Sequence, residues 1–194
     1  AIEMLEQALR DLHEVKEPTP EQPLDAELRL AIAYQRSKSG DFIGAGAIYL
    51  GVARDTTAAD EAFRQRMSDS GSGPETVLRF ASIAFGKAGE GQASVNALIE
   101  AVEMAQRFAA DSPVEDSLRR DLLWNVMLRL KGGKITSELT QLFDEGLERC
   151  GVPTNFVEAS ATYGRPSEYP TFAVGLAHTG ALILLGRYPM AEVF

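Results

Sequence analysis

Helical stretches that break at a glycine and resume beyond it constrain this chain more than any other feature. Apolar residues recur with the 3.6 period of an amphipathic helix, and no stretch alternates with the period of two that a half-buried strand requires. The breaks fall at Gly40, Gly89, Gly132 and Gly186, inside LRLAIAYQRSKSGDFIGAGAIYLGVA, VLRFASIAFGKAGEGQASVNALIEAV, DLLWNVMLRLKGGKITSELTQLFDEGL and GLAHTGALILLGRYPMAEVF. Two antiparallel helices joined by so tight a turn cannot bury their apolar faces alone, whereas stacked pairs share a continuous core. The expected fold is all-α: antiparallel helical hairpins stacked as an α-α superhelix.

Around these units the chain divides into an arm, a linker and a repeat domain. Residues 1–16 carry Ile2, Leu5, Leu9 and Leu12 on one stripe and predict an N-terminal amphipathic helix, packed on its own domain or docked on another chain. Residues 17–23, EPTPEQP, hold three prolines and read as a linker. Residues 24–194 form the repeat domain, read as truncated because the chain stops at Phe194 inside a helix. Helices are expected over 24–39 with Asp25 as cap, over 41–53, and from Thr57-Ala-Ala-Asp60 to about Ser68. Further helices are expected over 74–87 and 93–110, and from the capping box Ser112-Pro113-Val114-Glu115 to about Leu130. Two more are expected over 136–150 and 172–185. Between those two, residues 152–169 are irregular and long enough to carry function.

A close helix crossing needs small residues. Ala33 lies seven residues before its turn glycine, Ala45 five after, and Tyr49 one turn further; Ser82 and Ser94 take the equivalent places in the second unit, Thr179 and Ala191 in the fourth. Gly40-Asp41-Phe42 with Ala45, and Gly186-Arg187-Tyr188 with Ala191, share a pattern of glycine, polar residue, aromatic, then alanine. This pattern resembles the tetratricopeptide repeat. The third unit matches poorly. The turn glycines are 49, 43 and 54 residues apart, against a period of about 34, so extra chain must be inserted between units, notably at 57–68 and 152–169. The resemblance implies a concave groove lined by the first helix of each hairpin. Carried onto this sequence, the groove residues are Glu27, Leu30, Tyr34, Ser37 and Lys38 in the first unit and Arg79, Ile83 and Lys87 in the second. Lys38, Arg79 and Lys87 would receive carboxylates. Tyr163, Tyr169 and Phe172 are a second candidate surface.

Charge and chemistry narrow the rest. The net charge is −9, which disfavours nucleic acid, whose phosphates demand clustered lysine and arginine. Residues 170–185 are the longest uncharged apolar run, 16 residues, short of the roughly 18–20 that span a bilayer, so no membrane insertion is expected. The lone Cys150 allows no internal disulfide and fits a reducing, cytoplasmic setting. Only His13 and His178 are available as bases or ligands, and each reads as a packed or satisfied histidine. Cys150 continues an apolar stripe and reads as a buried thiol. Neither a Walker A loop nor GxGxxG occurs; Gly44 and Gly46 read as permitting close helix packing. No catalytic residue, metal or cofactor is expected. The expected function is a non-enzymatic scaffold for a protein or peptide partner, with self-association through the end repeats open. The alternatives are a sensor domain binding a small ligand, and an all-helical enzyme with its site near residues 152–169.

Overall fold

Glycine decides where the hairpin helices stop. Helices α2 (Pro23–Ser39) and α5 (Pro74–Lys87) are each followed by a glycine in the left-handed region, Gly40 at φ 90° and Gly89 at φ 81°, a conformation that a Cβ makes costly. The next N–H then donates back across the last turn, Asp41 to the Arg36 carbonyl at 3.0 Å and Glu90 to the Phe85 carbonyl at 2.9 Å. These bonds satisfy carbonyls that the helix end leaves open. The chain passes straight into α3 (Phe42–Ala58) and α6 (Gly91–Phe108). Asp41 serves both helices, since its carboxylate accepts the Gly44 N–H at 2.9 Å and so caps α3.

The computed structural model describes residues 1–15, 23–108 and 112–132, together with Ser137 and Gln141. Among these residues the protein is all-α, as expected: α1 (Ile2–Val15), α4 (Glu61–Asp69) and α7 (Pro113–Gly132) complete a set of seven helices with no strand. The chain divides into two compact units, Ala1–Met104 and Ala105–Phe194.

In the first unit α3 is the central helix, packed by α2 and by α5. The small residues lie where close crossings need them. Ala33 and Ala45 are fully buried, and the Ser82 and Ser94 hydroxyls meet at 3.0 Å, with Ser94 also donating to the Ser82 carbonyl. Three contacts fix the direction of α5 on α3. Lys87 lies over the Phe42 ring, the Phe85 ring lies where a Cβ on Gly46 would come to 2.8 Å, and the Phe80 and Tyr49 rings are 5.7 Å apart. Numbers fall on α5 as they rise on α3, so the two run antiparallel. Because α2 turns directly into α3, α2 and α5 run parallel, with the Gly40 and Gly89 turns at the same end. The core continues through Val52, Phe63, Val77, Leu78 and Leu98.

Two start signals shift from their expected places. Thr57 does not open a helix: its hydroxyl donates to the Ala53 carbonyl at 2.8 Å, so α3 continues to Ala58. Asp60 is the cap instead, accepting the Phe63 N–H at 2.7 Å, and α4 follows as an inserted helix burying Phe63 and Met67. Likewise α2 starts at Pro23, whose fixed φ suits the first helical position, so Asp25 lies inside the helix, buried, instead of capping it. Gly44 differs from the expected packing glycine: a Cβ there would meet the Asp41 cap carboxylate, not another helix.

Helix α1 packs on α2, with Ile2, Leu5, Leu9 and Leu12 half-buried. His13 near the end of α1 meets Asp25 near the start of α2 at 2.7 Å, and Glu6 meets Arg36 at 2.8 Å. The arm is thus antiparallel to α2 and docked on its own chain, and His13 is the satisfied histidine expected.

In the second unit, Ser112 caps α7 by accepting the Glu115 N–H at 3.2 Å, as its capping-box sequence predicts, while the buried Glu115 carboxylate pairs with Arg119. Leu118, Leu122 and Val126 form a buried stripe along α7. The linker before Pro23, the expected helix at 136–150 apart from Ser137 and Gln141, the expected helix at 172–185, the 152–169 segment with Tyr163 and Tyr169, Phe172, Cys150, His178 and the Gly186 hairpin lie outside the described residues.

Candidate interaction face

A helix that packs on one side leaves the other free, and the angular positions on α2 show which residues that is. At about 100° per residue, Asp25 and Arg36, which hold α1, fall on one side of α2. Ala26 and Ala33, buried, fall a quarter-turn away. Tyr34 lies about 180° from Asp25 and about 200° from Arg36. Glu27, Leu30, Tyr34 and Lys38 therefore form a stripe opposite the docked arm. Glu27, Tyr34 and Lys38 are exposed, while Leu30 and Ser37 are half-buried. On α5 the corresponding stripe is Arg79, Ile83 and Lys87, with Arg79 half-buried and the other two exposed.

Each lysine sits on an aromatic ring. Lys38 Nζ is 4.7 Å from the Tyr34 ring centroid and Lys87 Nζ is 5.5 Å from that of Phe42. A cation held over a π-face keeps its charge while losing freedom. Between the stripes stands Tyr49 of α3. Burial, and secondarily the nearby Tyr34 phenol, push the Tyr49 hydroxyl above its ordinary range. Its ring meets Phe80 of α5 on the other side. Tyr34, Tyr49 and Phe80 thus link α2 to α5 through α3.

The exposed apolar groups of this region are large: Tyr34 is 51% exposed, Ile83 49% and Phe80 42%. The candidate residues fall into two groups, five on α2 and three on α5. Because the helices run parallel, Lys38 and Lys87 lie at the same end. Sequence reasoning did not single out Phe80. Its spacing of three from Ile83 put it on the same helix face, but its exposure depends on where α3 lies, which spacing does not give. Phe42 was visible only as part of the turn pattern, not as the seat for Lys87.

Among the described residues no group of three or more His, Cys, Asp or Glu side chains is arranged to hold a metal ion. No described helix is long and apolar enough to cross a membrane. No protein-family model matches the chain, and no curated protein matches it.

Proposed function

We propose that this chain is a non-enzymatic interaction module of tetratricopeptide-like character, whose hairpins stack as a superhelix and present the α2 and α5 stripes to a peptide segment of a partner protein. The observation that carries the reading is the recurrence of one arrangement in two successive hairpins. Each first helix bears an exposed apolar side chain, Tyr34 or Ile83, and a lysine one turn on, Lys38 or Lys87, and the two helices run parallel. Phe80 adds to the apolar surface between them. Aromatic side chains such as Tyr34 and Phe80 are common anchors of interfaces.

Charge selects the occupant. The chain carries −9 overall, yet Lys38 and Lys87 lie at the same end of this face. A peptide with an apolar side chain flanked by carboxylates complements it, the apolar group over Tyr34, Phe80 and Ile83 and the acidic groups toward the lysines. Nucleic acid is disfavoured by the net charge. The cytoplasm is the compartment taken for this role, where a lone cysteine stays reduced. Self-association through the end repeats, by an uncapped apolar face, is the competing reading.

Peptide display against the full chain tests this. Selected peptides are expected to be enriched in Asp and Glu beside an apolar residue, and Lys38→Glu with Lys87→Glu should weaken them by about 10-fold or more while the chain stays folded, its thermal midpoint falling by about 5 °C or less. Peptides that bind the doubly reversed chain as tightly as the original, or that carry no acidic preference, would defeat the reading.

A further inference from the structure

One polar group on the α2 and α5 face has no partner among the described residues. Tyr49 is 8% exposed, and its hydroxyl makes no hydrogen bond to them. A hydroxyl so nearly covered loses much of its contact with water and gains no bond in return. The group is not sealed in: among the described residues, the fully enclosed side-chain atoms without a partner are guanidinium nitrogens of Arg36, Arg119 and Arg129. It opens between two exposed rings. Phe80 of α5 lies 5.7 Å away, ring to ring, and Tyr34 of α2 is the phenol close enough to act on it through charge. Lys38 and Lys87 stand beside the turns, whereas Tyr49 lies about two turns into α3.

We infer that the Tyr49 hydroxyl is a subsite for a main-chain carbonyl of the bound peptide, so that the face takes its peptide in an extended form, an inference that rests on the peptide-binding role proposed for this face. The O–H is a donor and needs an acceptor oxygen. The carboxylates of the peptide are drawn to the lysines, and an ionised group between the two rings would be desolvated without a countercharge. A neutral carbonyl carries no such cost. The apolar residue of the peptide, seated on Tyr34 and Phe80, brings its own backbone over the hydroxyl between them. In a helix, carbonyls away from the last turn are already bonded to N–H groups four residues on. An extended chain leaves them open. Tyr49 therefore separates the two forms, because its hydroxyl is completed by an extended peptide and not by the middle of a helix.

Calorimetric titration of the full chain with a synthetic peptide, one leucine flanked on each side by glutamates and both ends blocked, tests it. Tyr49→Phe removes the hydroxyl and no bond within the chain, so the thermal midpoint should hold within about 2 °C. Affinity for the peptide should fall about five- to tenfold. Replacing each peptide amide in turn by an ester, whose carbonyl is a weaker acceptor, should weaken binding to the unsubstituted chain at a bond beside the leucine, and should not weaken Tyr49→Phe there. A helix-stapled form of the peptide should bind the two chains alike. Equal affinity of the linear peptide for both chains, or an ester scan with no sensitive bond beside the leucine, would overturn the subsite; if Lys38→Glu with Lys87→Glu still weakens the peptide, the binding face itself stands. No binding of the linear peptide to the unsubstituted chain, or binding that neither the lysine reversals nor Tyr49→Phe alters, would overturn both.

Discussion

Gly46 and Phe85 are one fit seen from two helices. The ring lies where residue 46 lacks a Cβ, so Gly46→Ala forces either the ring or the helix to shift. The expected cost is about 1–3 kcal/mol. Phe85→Leu leaves room for the added methyl, so the double variant should be more stable than the sum of the two single losses predicts, by about 1 kcal/mol in urea denaturation. Additive losses would mean the ring yields freely. At this scale the sequence was informative where chemistry is local. Ala33, Ala45, Ser82 and Ser94 announced themselves as crossing residues through size and position, and all four are buried. Asp25 was misread because an acidic residue near a helix start ordinarily caps it; its burial is made tolerable by His13, which arrives from α1, and by Arg29, one turn on in α2.

Among the elements, the turns were the most legible and the insertion less so. Gly40 and Gly89 occupy left-handed backbone with nothing within 4 Å of an added Cβ. Alanine at either site thus costs conformational strain alone, about 1 kcal/mol each. Near-equal losses of urea stability for the two variants would confirm that the hairpins end by one device; a loss confined to one would separate them. The α3–α4 boundary moved because Thr57 and Asp60 both resemble a helix start, and a threonine inside a helix can bond back to its own previous turn, as Thr57 does with Ala53. The direction of α5 was not legible, since it depends on which residues of α3 meet Phe80, Phe85 and Lys87. The exposure of Phe80 follows from that direction and was lost with it.

The whole molecule has its first core within residues 1–104. A fragment ending at Phe108, where α6 ends, retains that core and is expected to unfold cooperatively in urea with helical circular dichroism. A gradual, non-cooperative loss of signal would show that the first unit depends on the rest of the chain. The parallel course of α2 and α5 has an electrostatic consequence. At their shared corner the carboxyl-terminal end of each helix lies beside the amino-terminal start of the next, α3 or α6, so the opposed backbone dipoles largely offset. Lys38 and Lys87 occupy that corner. The positive charge there therefore comes from the side chains alone, so a neutral glutamine in place of either lysine would remove attraction for an anion without turning it into repulsion.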